Sequence, residues 1–281
     1  MKYINKFLVL FILFISGVLP AWGQNISAEQ VLEKKPILGL HFQSVSDYIW
    51  RGTNYFVNMY AFSNQNQKVV NFIPALTPVI TWYTPVPGLR LDMGYVIPLI
   101  NRDFGQGNLA SVEQYFYNLR YKYINPGGEF EFGFKVYTFP TSGPLLPIES
   151  FGEFMVSYTA PILLKPNWTA HSSLGGINGS TIHHTLSIEH RFHLGLFSIM
   201  PKIVLGYMML IQDPKLNYPY VDYMVGFNFQ LAKNMKIYIR PLAVYRPFFG
   251  KGQSTLVNAR GESYDKQSLL MSLTLGYEII F

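Results

Sequence analysis

The last segment of the chain, residues 269–281, alternates between two kinds of side chain. Apolar or aromatic residues occupy one face: Leu269, Met271, Leu273, Leu275, Tyr277, Ile279 and Phe281. Small or polar residues occupy most of the other face, which Leu270 and Ile280 interrupt: Ser268, Ser272, Thr274, Gly276 and Glu278. Because successive side chains of a strand point to opposite faces, this pattern predicts a β-strand between two different environments.

Other segments repeat the same alternation, with aromatic residues on one face and charged residues, amides or glycine on the other. They include residues 114–123, 129–136, 221–231 and 235–246. In a soluble β-sandwich, the aromatic face would pack in a core and the charged face would point to water. In a membrane barrel, the aromatic face would meet lipid and the charged face would line the lumen.

The composition favours the membrane alternative. Charged residues make up 14% of the chain and aromatic residues 16%, whereas roughly a quarter of a soluble domain is charged. After the N-terminus, no segment reaches about 18 consecutive apolar residues, which excludes helical spans. Only helices and closed sheets satisfy every backbone group in lipid. We therefore predict an all-β fold, an antiparallel up-and-down transmembrane β-barrel, with the soluble sandwich as the alternative.

About twelve strands are predicted. They lie near residues 37–50, 69–83, 88–100, 111–124, 128–139, 150–160, 167–176, 181–192, 195–209, 219–231, 234–246 and 267–281. The connections after even-numbered strands are mostly short, and those after odd-numbered strands are mostly longer, although 161–166 and 177–180 depart from this rule. Short periplasmic turns and longer outer loops are typical of outer-membrane barrels. Both chain termini are therefore expected on the periplasmic side.

The N-terminus has the organisation of a signal peptide. Lys2 and Lys6 are followed by a mostly apolar run over residues 7–19 and a small-x-small pattern that ends at Gly23. We predict a signal peptide over 1–23, a polar periplasmic lead-in over 24–35 and the barrel over 36–281, in the cell outer membrane. The alternative is an uncleaved anchor, for which the apolar run is short.

The residues that end the chain resemble the terminal signal that the bacterial outer-membrane assembly machinery reads. Tyr277, Ile279 and Phe281 are the predicted signal residues. The expected partners are this machinery, outer-membrane lipid and small solutes. Nucleic acid is not expected, because the lysines and arginines are scattered along alternating positions without a basic run.

No motif of an enzyme, cofactor site or metal site stands out. The chain lacks a phosphate-binding loop with Lys-Ser/Thr, a Gly-x-Ser-x-Gly elbow and a His-Glu-x-x-His pair. We therefore expect no enzymatic activity, no cofactor and no metal. The alternative is a barrel enzyme that acts on lipid and uses polar residues near two neighbouring strand ends: His171, Ser172, Ser173, His183 and His184. In the simpler interpretation, these residues are polar parts of the lumen wall, hydrogen-bonded to neighbours such as Glu189.

The charged residues on the strands are predicted to face the lumen, where basic residues slightly outnumber acidic ones. These are Asp47, Arg51, Arg90, Asp92, Arg120, Lys122, Glu129, Glu131, Lys135, Glu153, Glu189, Arg191, Lys202, Asp222, Lys236, Arg240, Arg246 and Glu278. We predict that a basic subset selects small anionic or polar solutes: Arg51, Arg120, Arg191, Lys202, Lys236, Arg240 and Arg246. In the alternative interpretation, the charges pair and plug the lumen. A third possibility is a structural or adhesive barrel that binds through loops 51–68 and 247–266.

The first strand carries Val-Ser-Asp-Tyr-Ile-Trp-Arg-Gly over residues 45–52. This stretch resembles the opening motif of the TorF-type porins, and residues 130–140 and 150–161, with Glu153, are also similar to that family. The chain departs from the family pattern at Thr53-Asn54 and at Ile-Trp within the motif. The resemblance implies an outer-membrane barrel for passive, porin-like transport.

Asp47 and Arg51 share a face near the outer rim. We predict that they form a structural rim pair at the start of the loop, with solute binding as the alternative.

Overall fold

The structure is a computed structural model. It describes residues 37–51, 53–54, 73–99, 114–139, 150–175, 180–211, 217–247 and 268–281. The predicted signal peptide and lead-in lie outside the described residues, and so does most of loops 51–68 and 247–266.

Fifteen β-strands are present in the described residues. They are β1 (Leu38–Val45), β2 (Ile49–Trp50), β3 (Thr53–Asn54), β4 (Ala75–Tyr83), β5 (Leu89–Pro98), β6 (Gln114–Asn125), β7 (Gly128–Thr138), β8 (Phe151–Thr159), β9 (Asn167–Leu174), β10 (Thr181–Glu189), β11 (Phe192–Leu194), β12 (Phe197–Leu210), β13 (Tyr218–Ala232), β14 (Met235–Tyr245) and β15 (Leu269–Ile280). Within the same ranges, no helix has the length and apolar character needed to cross a bilayer.

The long strands form one closed ring. Strand β1 pairs antiparallel with β15 on one side and with β4 on the other. Each strand from β4 to β9 then pairs with the next, β10 pairs with β12, and β12 to β15 complete the ring. The short strand β11 continues β10 and also pairs with β12. The described residues therefore form a closed antiparallel β-barrel of 12 strands, which confirms the predicted fold.

The outer surface of the barrel is apolar and aromatic. On β6, for example, Tyr117, Leu119, Tyr121 and Tyr123 are all at least 42% exposed. The intervening polar residues of the strand point inward, as the alternation predicts. A closed sheet with an apolar outer face and a polar inner face is the architecture of an outer-membrane barrel, and it places the protein in the cell outer membrane.

The two termini of the barrel and its short turns lie at the same end. The backbone N–H of Phe281 donates to the carbonyl of Leu38 at 2.7 Å, and Ile37 N–H donates to the carbonyl of Phe281 at 2.8 Å. The turns at this end span residues 84–88, 126–127, 160–166, 195–196 and 233–234. By the usual asymmetry of such barrels, this is the periplasmic end.

Two strands differ from the prediction. The first strand leaves the wall after Val45 instead of continuing to residue 50. The strand predicted over 181–192 is interrupted after Glu189, where His190 N–H donates to the carbonyl of Pro201 at 3.2 Å. Proline has no N–H to return the bond, so the ladder is lost there and resumes at Phe192 opposite Ile199.

Candidate functional site in the barrel lumen

On one wall of the lumen, formed by β5 to β7, most of the charges are paired. The pairs are Arg90–Glu131, Arg120–Asp92, Arg120–Glu131 and Lys122–Glu129, with N–O distances from 2.5 to 3.3 Å. Asp92 also accepts hydrogen bonds from Thr81 at 2.8 Å and from Asn118 at 3.2 Å. Arg120, one of the predicted solute-selecting residues, is therefore neutralised by two carboxylates.

Two more predicted solute-selecting residues also have carboxylate partners. Lys202 of β12 lies 3.2 Å from Glu189 of β10, and Lys236 of β14 lies 2.7 Å from Glu278 of β15. Each pair joins residues that face each other in the strand register. These pairs are cross-strand links in the wall, and they reduce the free positive charge that the sequence predicted for it.

A row of inward positions crosses four consecutive strand segments at one level. The register on both sides of the β10–β11 break places Arg191 opposite Met200, and Met200 pairs with Gly226. The β13–β14 register continues this row to Arg240, which pairs with Thr274 of β15. The two arginines are three strand spacings apart, about 14 Å along the wall, with methionine and glycine between them.

Neither arginine of this row has a carboxylate within ion-pair distance in the described part of the chain. The Arg240 guanidinium lies 4.0 Å from the centre of the Tyr238 ring, and its buried Nε has no hydrogen-bond partner. Arg191 Nη2 donates to Met200 Sδ at 3.5 Å, a weak acceptor. Lys135 on the other wall also contacts aromatic rings, with its Nζ 4.2 Å from the centre of Phe116. The row thus presents two guanidinium groups that have no anionic partner among the described residues.

The remaining predicted solute-selecting residues, Arg246 and Arg51, lie near the loop end. Arg246 is completely buried, and its backbone N–H donates to the carbonyl of Ser268 at 2.8 Å. Arg51 forms an ion pair with Glu153 of β8 and lies over the Trp50 ring at 4.4 Å. Both positions are much less accessible than the alternation alone indicates.

Asp47 and Arg51, the predicted rim pair, contact residues that are distant in the sequence. Asp47 is buried. Its carboxylate accepts a hydrogen bond from Ile73 N–H at 3.4 Å, and its carbonyl accepts one from the Ser272 hydroxyl at 2.7 Å. Arg51 reaches Glu153 instead of a neighbouring strand.

Glu153 joins Arg51 to a group of histidines. His171 Nδ1 lies 2.8 Å from Glu153 Oε1, and His183 Nε2 lies 2.7 Å from the Tyr220 hydroxyl. The two histidines pair across β9 and β10, with ring centres 5.6 Å apart. The alternation in the sequence predicts both histidines in the lumen, but it does not predict their partners, because nothing local links Glu153 or Tyr220 to them.

Three of the residues considered for a lipid-acting enzyme, His171, Ser173 and His183, are engaged in other contacts. The Ser173 hydroxyl bonds with that of Thr181, and the hydrogen bonds of His171 and His183 go to Glu153 and Tyr220. No Ser–His hydrogen bond occurs within the described ranges, and those ranges hold no cluster of three acidic or histidine ligands placed for a metal ion.

Glycines make room for the large lumen aromatics. Gly206 lies directly opposite Tyr220, and a Cβ built on Gly206 would come 2.1 Å from Cζ of that ring. Gly94 accommodates Phe116 at the same distance, and Gly276 accommodates Tyr238. A ring that covers a cross-strand glycine is a known way to stabilise a glycine in a sheet.

We expect Gly206→Ala to displace Tyr220 and break its hydrogen bond to His183. The added methyl group overpacks the site, which typically costs about 1–3 kcal/mol in the free energy of unfolding. Urea unfolding of the refolded barrel in lipid vesicles measures the change. Gly39→Ala is the control, because its Cβ would meet its nearest atom at an ordinary 3.4 Å. Equal stability of the two variants would contradict the prediction.

Comparisons with known proteins give structural matches only. No protein-family model and no curated protein matches the chain, so the resemblance to the TorF-type porins stays a prediction. The KdgM porin in complex with disordered oligogalacturonate is 10% identical with a TM-score of 0.48, over 86% of this chain and 99% of that one. An outer membrane channel from Pseudomonas putida F1 is 9% identical with a TM-score of 0.48, over 92% and 100% of the two chains. An anion-selective porin from Comamonas acidovorans is 15% identical with a TM-score of 0.37, over 79% and 65%. At these values, nothing about the solute of this chain follows from the matches.

Proposed function

We propose that the protein is a porin-like channel of the outer membrane that conducts small polar and anionic solutes by passive diffusion. The observation that supports anion preference is the row with Arg191 and Arg240. An arginine keeps its charge at every physiological pH and offers planar donors that suit carboxylate and phosphate oxygens. Two such groups without a carboxylate partner leave the lumen attractive to anions.

The paired charges elsewhere support a polar, water-compatible lumen without strong selectivity of their own. Each ion pair presents both signs to a passing solute, so its long-range field is small beyond the Debye length of about 8–10 Å. The net preference then depends on the lumen charges that have no ion-pair partner in the described residues, which include Arg191, Arg240 and the carboxylate of Asp222. In this proposal, Arg120, Lys202 and Lys236 line the path of the solute, whereas Arg191 and Arg240 give the channel its preference for anions.

The test is the reversal potential of single channels in planar bilayers with a KCl gradient. The wild-type channel is expected to prefer chloride over potassium. The double variant Arg191→Gln/Arg240→Gln is expected to lose most of this preference and to keep its conductance within the same range. Glutamine keeps hydrogen-bonding capacity at both sites and removes only the charge.

A matched control removes two positive charges outside the lumen. Lys165 and Lys233 lie in turns at the periplasmic end, and the variant Lys165→Gln/Lys233→Gln changes the net charge by the same amount. It should leave the reversal potential unchanged at high salt, since screening limits the reach of exposed charges. Cation preference in the wild type, or an equal shift in both double variants, would refute the proposal.

A further inference from the structure

We propose that residues 46–51 form the constriction of this channel and set the size limit for its solutes. The inference rests on the proposed channel function, and it concerns the steric limit instead of the charge preference. Residues 46–51, which we call the inner segment, are the Ser-Asp-Tyr-Ile-Trp-Arg stretch at the predicted end of the first strand.

The inner segment leaves the wall at the loop end of the barrel. Ser46 still exchanges hydrogen bonds with Leu273 of β15, both at 2.9 Å, through its N–H and its hydroxyl. The next residue, Asp47, has its carbonyl held by the Ser272 hydroxyl at 2.7 Å. After this point the chain no longer pairs with either neighbour of β1, whose ladders with β4 and β15 both end at Val45.

The far end of the inner segment is attached to strands that do not adjoin β1. Arg51 forms its ion pair with Glu153 of β8, which is separated from β1 by β4 to β7 on one side of the ring. The Arg51 carbonyl accepts a hydrogen bond from the Tyr218 hydroxyl of β13 at 3.0 Å. A chain that starts at β1 and contacts both β8 and β13 must run across the lumen.

Apolar side chains of the inner segment pack on opposite walls. One apolar cluster consists of Val45, Ile73, Ala75, Val96, Tyr137 and Phe139, and Tyr48 and Trp50 pack against it. The second consists of Met208, Leu210, Tyr218, Tyr220, Val244 and Leu270, and Ile49 packs against it. Both clusters lie near the loop ends of their strands. The inner segment therefore fills space between two halves of the wall at one level.

The Arg51–Glu153 pair fixes this arrangement. The two side chains are only 6% and 2% exposed, and Glu153 is held in turn by His171. Removing one member of a buried pair leaves an uncompensated charge, which then favours hydration and a rearranged contact. Arg51 itself has a φ of 51°, in the left-handed region, so its position depends on these contacts and not on local backbone preference.

The first experiment compares single-channel conductance and the uptake of glucose, sucrose and raffinose by liposomes. Glu153→Gln and Trp50→Ala are expected to raise the conductance severalfold and to admit the larger sugars that the wild type excludes. The control Lys122→Gln/Glu129→Gln removes an ion pair at the periplasmic end of β6 and β7, away from the loop end, and should change neither quantity. Heat-modifiable migration on gels confirms that each variant is a folded barrel.

A second experiment tests the same protein in two states. The chain contains no cysteine, so Arg51→Cys/Glu153→Cys introduces the only thiols. A short bis-methanethiosulfonate reagent bridges the two cysteines in place of the ion pair. The bridged channel is expected to have a conductance close to that of the wild type, and reduction is expected to raise it severalfold.

The outcomes separate this inference from the proposed channel function. A wild type that conducts, with variants and bridged channels that conduct identically, overturns the constriction and leaves the channel function intact. The constriction is also supported if the wild type and the bridged channel are silent, while the Glu153→Gln variant or the reduced cysteine variant conducts. Silence of the wild type and of every folded variant overturns both.

Discussion

Replacing Leu119 by arginine is expected to destabilise the folded barrel by about 2–4 kcal/mol, the cost of a cation at the bilayer midplane of a transmembrane strand. Leu119 lies near the middle of β6, pairs with Leu91 and Phe134, and is 47% exposed on the outer surface. Its side chain therefore faces the hydrocarbon region. Urea-dependent folding into lipid vesicles measures the loss.

The neighbouring residue supplies the control for this prediction. Asn118 points to the lumen, where it donates a hydrogen bond to Asp92 at 3.2 Å. Asn118→Arg introduces the same side chain one position away, beside a carboxylate, and should cost much less. If both variants were equally stable, the outer face of β6 would not face lipid, and the soluble alternative would return.

The second large effect is expected at the last residue of the chain. We propose that Tyr277, Ile279 and Phe281 are recognised by the outer-membrane assembly machinery. Phe281→Ala should then sharply reduce the amount of folded barrel in the outer membrane of cells. The Phe281 side chain is 59% exposed, so its removal should have little effect on refolding of the purified chain in detergent.

Deletion of Phe281 tests a different contribution. It removes backbone hydrogen bonds to Ile37 and Leu38, which form the last rungs of the seam between β15 and β1. The deletion should therefore impair refolding in detergent as well as assembly in cells. Phe281→Tyr keeps the ring and should behave like the wild type. Normal assembly of Phe281→Ala in cells would rule out the terminal signal.

The strands themselves were predictable because their signal is local. The alternation over 269–281 predicted which side chains of β15 face outward, and Leu273, Leu275 and Tyr277 are indeed on the outer surface. Leu270, which interrupts the pattern, points inward and is 3% exposed in an apolar cluster of the lumen. The apolar residue that breaks the alternation thus marks an apolar region inside the barrel.

The pairing of the lumen charges was not predictable in the same way. Alternation placed Lys236 and Glu278 on the inner face, but their contact depends on the register between β14 and β15. The same register fixes that Arg240 faces Thr274 and, among the described residues, has no acid beside it. The face on which a side chain lies depends on one strand alone, whereas its ion-pair partner depends on the register between two strands.

The amino-acid sequence alone determined that the chain forms amphipathic strands and a barrel, because a period of two is set by backbone geometry within each segment. Only the tertiary structure decided where the first strand stops and what Arg51 contacts. Its partners, Glu153 and Tyr218, lie 102 and 167 residues further along the chain. These residues come together only when the ring of strands closes, and the alternation within a single segment does not predict such contacts between distant strands.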